Sequence, residues 1–333
     1  MRIAGLVPHI EVCGGVRRYF EIGNAMVNLG HEYDLFYKAL YKNKEPWVDY
    51  RGNLCPYNQL PGRHYDIVYT GAAECLSDLE RVSADAKVVV VVARFYTSEY
   101  LKTWKKHGRE YVWLGAGAYW WEQFPKDCMP YGHDCPGGVN ISFFKPGTNN
   151  VHSPEKIRVL FYRRDEGDRR GLKVTLDGIQ MFHAAHPGSL RNWEFIGYDT
   201  HPVPEKWNGL RQNNIIGVVT HYQEDLRDLL QTGDIIVSSQ ADGVWNNILI
   251  EGMACGLAAI GTKTASRDFL IQNETGRVME VGNPASLARC LGWFLEDPKR
   301  ITNCGLRALQ RARQLSWMNY ATNFLRIVRS ERC

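Results

Sequence analysis

Short runs rich in valine and isoleucine alternate with amphipathic stretches of helical length, and this rhythm runs through the chain twice. A brief apolar run bounded by turn-forming residues suits a strand buried on both faces, and an amphipathic helix after it covers one of those faces. The alternation therefore predicts βα units around mostly parallel sheets. Strands are expected at 2–7, 34–37, 66–70, 88–93 and 111–114, then at 158–162, 193–197, 214–219, 234–238, 257–261 and 277–281. The first helix is expected at 16–29, where Val16, Tyr19, Phe20, Ile22, Met26, Val27 and Leu29 form a broad stripe closed by Gly30. Further helices fit 172–185, 223–230, 247–254, 284–295, 298–314 and 316–329. Between the two series, PGTNNVHSPEK offers little to bury and reads as a linker. Two doubly wound α/β domains in series are the economical fold.

Composition narrows the class. The 333 residues suffice for about two domains, and 44% apolar with 23% charged residues excludes a disordered or collagen-like chain. Forty basic against 36 acidic residues leave +4, too little to argue for a nucleic-acid or membrane partner on charge alone. No apolar run approaches the ~18 residues of a membrane span. The opening MRIAGLVPHIEVCGG reads as a first strand and not as a signal peptide, so a soluble, cytoplasmic protein is expected. Nine cysteines without a CxxC pair point to a reducing compartment. Cys128, His133 and Cys135 in CMPYGHDC offer soft ligands without the paired spacing of a zinc site, so they read as an ordinary loop.

Three places could carry chemistry. Gly14 and Gly15 follow the first strand and open the first helix, where a backbone without side chains lets a phosphate approach the helix N-terminus; a plain structural turn would use the same residues. Arg163 and Arg164 end the strand that starts the second series, and Arg169 and Arg170 stand at the mouth of the next helix. Ligands bind beyond the carboxyl ends of strands in open α/β sheets, so these arginines could clamp a diphosphate. Asp165, Glu166 and Asp168 between them could equally neutralise a solvated loop. In SSQADGVWNNILIEGMACGLAAIGT a strand ends near Ser238, a loop carries Asp242 and Gly243, and Glu251 shares a helix face with Asn247. A lone acid in a small apolar helix needs a hydrogen-bonding partner, which a ribose diol or nearby backbone N–H groups would supply.

In this order the pieces resemble the retaining glycosyltransferases of family 4, which have the GT-B fold of two facing Rossmann-like domains with a cleft between them. The resemblance runs through CGGVRRYFEIGNAMVNLGHEY, GGVNISFFKPG, VLFYRRDEGDRRG, NILIEGMACGLAAIGT, ETGRVMEVGNPASLARCLGWFLEDP and QLSWMNYATNFL, and the NILIEGMACG block is its most specific part. It implies an acceptor-side domain at 1–148, a nucleotide-sugar-binding domain at 149–315, and a closing helix within 316–333 that crosses back to the first domain. It further implies a UDP- or GDP-sugar donor with its diphosphate on Arg164 and Arg170, its ribose on Glu251, and backbone N–H groups around Trp245, Asn246 and Asn247 holding sugar and phosphate. Gly14 and Gly15 approach the diphosphate. No metal or other cofactor is required, and the sugar keeps its α configuration.

This chain departs from the pattern in places. The family's paired glutamates lie eight apart, but eight before Glu251 stands Gly243; Asp242, nine before, either takes over the contact to the sugar or leaves it missing. Arg170 replaces a lysine, and Asn246 stands where proline or glycine is usual. For a side chain from the first domain the text offers only Arg94 and Tyr96.

Two other classes stay in view: a non-catalytic nucleotide-sugar-binding protein of the same fold, and a nicotinamide-dependent oxidoreductase, for which Gly115 and Gly117 give only part of the glycine fingerprint. The acceptor could be a glycan, a lipid-linked glycan or a nucleic acid. Trp104, Trp113, Trp120 and Trp121 fill a core or form a stacking surface. Lys102, Lys105, Lys106 and Arg109 form a solvated helix face or a contact to a membrane or polyanion.

Overall fold

The computed structural model describes residues 1–11, 13–39, 48–60, 62–92, 97–115, 132–147, 156–164, 169, 171–188, 191–205, 207, 209–210, 214–220, 223–243 and 245–332. The chain separates into two compact units, Met1–Gly138 with Leu315–Cys333, and Val139–Gln314.

In the first unit, strands β1 (Arg2–His9), β2 (Glu32–Ala39), β3 (Asn53–Pro56), β4 (His64–Thr70), β5 (Ser83–Val91), β6 (Val112–Gly115) and β7 (Gly132–Asp134) form one sheet in the order β3-β2-β1-β4-β5-β6-β7. Every pairing in it is parallel. Helix α1 (Gly14–Asn28) begins earlier than its apolar stripe, because the Cys13 thiol accepts the Val16 N–H and caps it. Its buried face, including Tyr19, Phe20, Ile22 and Met26, packs on the sheet and on the closing helix, Trp317–Ser330, through Tyr320, Phe324 and Val328. Gly138 lies under that helix: a Cβ there would stand 2.7 Å from the Trp317 ring. Helix α2 (Thr97–His107) follows β5, and Trp104 meets the fully buried Trp113 edge-on at 5.0 Å.

Tyrosines knit this core with hydroxyls as well as rings. Tyr19 and Tyr69 stack at 5.3 Å, and the Tyr33 hydroxyl lies 2.5 Å from that of Tyr69. Gly5 is needed beneath them, since a Cβ there would lie 2.5 Å from the Tyr33 oxygen.

The second unit repeats the plan. Strands β8 (Ile157–Tyr162), β9 (Trp193–Asp199), β10 (Ile215–Val219), β11 (Ile235–Ser238), β12 (Ala258–Thr262) and β13 (Gly276–Met279) lie in the order β10-β9-β8-β11-β12-β13, again all parallel. Helices α3 (Leu172–Ala185), α4 (Gln223–Leu230), α5 (Asn247–Ala254), α6 (Pro284–Glu296) and α7 (Lys299–Gln314) connect and flank them. In both units the strand order reverses beside the first strand, which is the doubly wound pattern with its topological switch point.

The division between units falls at Gly138–Val139, ahead of the expected boundary at 148. The segment after Val139 packs on the second unit: Arg227 covers the Phe143 ring at 5.0 Å, and Gln231 donates to the Lys145 carbonyl at 2.8 Å. Val139 and Phe144 are buried, so the polar text that follows them does not mark the boundary. Residues 148–155 of that text lie outside the described residues.

Candidate functional site

At the switch point of the second sheet, β8 and β11 pair as neighbours and their chains leave in opposite directions. Two loops meet there. Gly171, with φ +69°, is the left-handed residue that opens α3, and a Cβ on it would lie 2.2 Å from the Ser239 carbonyl oxygen. Only glycine fits so close to another backbone in that conformation. Ala241 N–H donates to the Arg169 carbonyl at 3.0 Å, and the Thr175 hydroxyl donates to Ser239 Oγ at 2.8 Å. The arginine loop after β8 is thus stitched to the loop after β11.

The two arginines that end β8 have different surroundings. Arg163 is buried and donates to the carbonyls of Val218 (3.3 Å), Pro202 (3.2 Å) and His201, with its guanidinium over Trp207. Burial lowers its pKa, but from a value so high that the charge stays. It fastens 201–202 and β10 to β8. Arg164 donates through Nη2 to Asp199 Oδ1 at 2.9 Å and to Thr200 Oγ at 3.0 Å, and lies over the Tyr162 ring at 5.2 Å. Burial alone would push the Asp199 carboxyl up; the Arg164 charge and the Thr200 N–H outweigh it and hold the pKa below the ordinary carboxylate value. Asp199 has no counterpart in the sequence reading. Its position at the end of β9, the strand paired with β8, is the signal that finds it.

On the other loop Asn246 is buried and bonded on every side. Its Oδ1 caps α5 by accepting the Leu249 N–H at 3.2 Å, its Nδ2 donates to Ser238 Oγ at 2.9 Å, and its N–H donates to the Ala265 carbonyl at 2.9 Å. An amide where proline or glycine is usual therefore ties helix start to strand end. Asn247 begins α5, and Asp242 and Trp245 are partly buried in the loop before it. The Trp245 ring meets Phe269 edge-on at 5.0 Å, and its indole N–H is shielded from solvent without a hydrogen-bond partner.

Glu251 is 7% exposed, one turn inside α5. Its charge reaches the buried Tyr198 hydroxyl, which burial first and this carboxylate second push well above the ordinary tyrosine pKa. Tyr198 in turn lies 5.8 Å from the Tyr162 ring that Arg164 covers. Arg164, Asn246, Asn247 and Glu251 are brought together at one sheet edge through the Tyr162 and Tyr198 pair and the stitched loops. Arg170 lies outside the described residues, as do Arg94, Tyr96, Asp165, Glu166, Asp168, Gly117, Trp120, Trp121 and Cys128.

The remaining sequence candidates lie in the first unit. Gly14 and Gly15 form the first turn of α1, and a Cβ at Gly15 would meet nothing nearer than the Cys13 sulfur at 3.9 Å. Lys106 pairs with Glu80 at 2.6 Å, and His107 stands between Glu80 and Glu110, so acidic neighbours offset part of the basic face of Lys102, Lys105, Lys106 and Arg109. His133 pairs with Glu331 at 3.0 Å. Among the described residues no three His, Cys, Asp or Glu side chains group as a metal site, and no helix is long and apolar enough to cross a membrane. Two cavities of about 410 and 470 Å³ on the second unit lie elsewhere, one beside Lys156, Trp193 and Asn214, the other beside Trp293, Arg300 and Arg307.

Comparison with known proteins bears on the second unit and on the fold. Residues 157–297, from the start of β8 to just past α6, match the family described as Glycosyl transferases group 1. A curated relative, N-acetyl-alpha-D-glucosaminyl L-malate synthase of Bacillus anthracis, is 31% identical over 87 residues, 26% of this chain and 23% of that protein. The matched stretch thus spans about a quarter of that relative's length. Among solved structures, HepE of Anabaena in complex with UDP superposes with a TM-score of 0.79 at 12% identity, covering 99% of this chain and 100% of that one. A sucrose-phosphate synthase of Thermosynechococcus elongatus gives 0.73 at 15% identity, covering 99% and 98%. A glycosyltransferase of Rickettsia africae gives 0.71 at 16% identity, covering 99% and 98%. The fold is the α/β GT-B fold, with two Rossmann-like parallel sheets.

Proposed function

We propose that this chain is a retaining glycosyltransferase that takes a sugar from a nucleotide-diphosphate-sugar donor and joins it to an acceptor in α-linkage without a divalent metal. One observation carries the reading. At the switch point of the second sheet the structure assembles a buried carboxylate on α5, a guanidinium at the end of β8 and two loops stitched together through Gly171. The family match over 157–297 and the UDP carried by the Anabaena relative support a nucleotide-sugar as the ligand of that edge, and UDP-sugars are the first donors to try, with GDP-sugars second.

In this reading Glu251 accepts hydrogen bonds from the ribose hydroxyls, and Arg164 with Arg170 neutralises the diphosphate. The charge that grows on the leaving nucleotide as the glycosidic bond breaks is the charge these cations stabilise. The N-terminus of α5 adds its partial positive charge from the Asn246 side. The loop of Trp245, Asn246 and Asn247 borders the sugar and phosphate end, with the Asn246 N–H already given to the Ala265 carbonyl and the Asn247 N–H to the Trp245 carbonyl, and Asp242 faces the sugar. Gly14 and Gly15 keep the role the resemblance implies, close approach of backbone to phosphate. Nothing in the local packing at Gly15 demands glycine, which is the expected state of a position selected for a ligand's approach. The leaving phosphate itself accepts the acceptor's proton. The proposed location is cytoplasmic, and Lys102, Lys105, Lys106 and Arg109 are the residues with which a peripheral contact to a membrane or polyanion would be made.

Incubation with a panel of nucleotide-sugars, following free nucleotide, tests the reading against Glu251→Ala as control. Release by the wild type and its loss in the variant are expected. If donors bind but none is turned over, the protein is a nucleotide-sugar-binding member of the fold, a reading that Gly243 in place of the first glutamate favours.

A further inference from the structure

Arg164 stands at the rim of the second sheet, and a long guanidinium side chain left to swing would lose rotamer freedom each time an anion fixed it. In this structure it is fixed beforehand, and from the protein side. The Arg164 side chain is 30% exposed, whereas the Asp199 carboxylate that receives its Nη2 at 2.9 Å is 4% exposed. The carboxylate thus lies inside and the cation outside. Thr200 Oγ1 at 3.0 Å and His201 Nδ1 at 3.4 Å surround the same nitrogen, and the guanidinium lies over the Tyr162 ring at 5.2 Å.

Asp199 is the anchored member of the pair. It is the last residue of β9; its backbone carbonyl accepts the Thr220 N–H at 2.9 Å, and its Oδ1 accepts the Thr200 N–H at 2.7 Å, which closes the turn after the strand. One residue earlier the Tyr198 carbonyl accepts the Arg163 N–H at 2.9 Å, and further on the carbonyls of His201 and Pro202 are held by the buried Arg163 guanidinium. One arginine of the pair that ends β8 therefore fastens this turn, and the other is held by the carboxylate that the turn presents.

Two roles compete for that carboxylate. If it only neutralises the cation, it works against an anionic ligand, and its removal tightens binding. If it aims the cation, its removal weakens binding, because the direction of a forked donor matters as well as its charge. A carboxylate buried on the inner side of the guanidinium and fixed by the strand end is built for aiming. Resting on the donor-site reading above, we propose that Asp199 is the positioning residue of the diphosphate site: from the fixed end of β9 it aims Arg164 at the diphosphate of the donor nucleotide.

The test is a double-substitution cycle on the whole chain, with thermal melts confirming folding. UDP binding is measured by calorimetry, so the outcome does not depend on turnover. Asp199→Ala is expected to weaken UDP about tenfold, and Arg164→Ala at least as much, since a charge-assisted contact is lost in either case. Added to Arg164→Ala, Asp199→Ala is expected to cost no more than about twofold further, because a residue acting through another then has nothing to act on. Asp199→Asn keeps an oxygen for the Thr200 N–H and for Arg164 but loses the charge, and is expected to weaken UDP about threefold. It carries the same cycle if Asp199→Ala does not fold. Unchanged or tighter UDP binding on substitution of Asp199 overturns the inference, and so does a loss that persists undiminished without Arg164, as a merely structural turn would show. In both cases UDP binding by the wild type upholds the donor site. Absence of UDP binding in the wild type overturns both.

Discussion

At the carboxyl edge of the first sheet, two tyrosines close the turn after β4. Tyr19 of α1 accepts the Gly71 N–H at 2.6 Å, and Tyr100 of α2 donates to the Gly71 carbonyl at 2.6 Å, so the peptide units on both sides of this one residue are gripped. The same edge of the second sheet is held by close backbone approach at Gly171 and by amide side chains, and there the charged groups Arg164, Asp199 and Glu251 gather. One strand order thus supports a hydroxyl-locked edge and a charge-bearing edge. The sheet fixes where the strand ends lie, and the residues after each strand decide whether that edge is locked by hydroxyls or gathers charge.

Four substitutions break or sharpen this contrast. Gly171→Ala is expected to do most, about 2 to 4 kcal/mol of destabilisation in urea unfolding, because a left-handed φ and a backbone collision are imposed together. Tyr19→Phe strands the buried Gly71 N–H and should cost about 1 to 2 kcal/mol in the same assay.

Asp199→Asn supplies the pH arm. The folded carboxyl titrates below the unfolded one, so its contribution is present above the unfolded pKa and is lost as pH falls through the folded value. The stability gap between wild type and Asp199→Asn should therefore be widest near neutrality and close on acidification, and a gap that does not change with pH would mean that the Arg164 pair contributes nothing. Gly15→Ala should do least to stability, from no change to a gain of about 1 kcal/mol from helix propensity, since its Cβ meets only the Cys13 sulfur at an ordinary contact distance of 3.9 Å. Its expected effect is on nucleotide release alone. Loss of stability there would make Gly15 a structural glycine after all.

Sequence pattern and structure agree where burial is continuous. The strands around Val88 and Ile235 are read from unbroken apolar runs, and each lies inside its sheet. Strands β3 and β7, of four and three residues, add too little apolar text to register, and Asn53–Pro56 even ends in proline, which an edge strand tolerates. In the site, the resemblance indicates Glu251 and Asn247 because both stand in an uninterrupted helical block. It does not indicate Asp199 or Tyr198, whose relevance arises from pairing between strands far apart in the chain. Likewise residue type alone does not distinguish Arg163 from Arg164, and the carbonyls of 201, 202 and 218 separate the buried fastening from the partly exposed cation beside Asp199.

The central claim is that the donor nucleotide sits at the switch point between β8 and β11. Amide hydrogen exchange with and without UDP tests it most directly. The account predicts slowed exchange in 171–175 and 239–251, and loss of that protection in Glu251→Ala. UDP-induced protection confined to other segments, or none at saturating UDP, would contradict it.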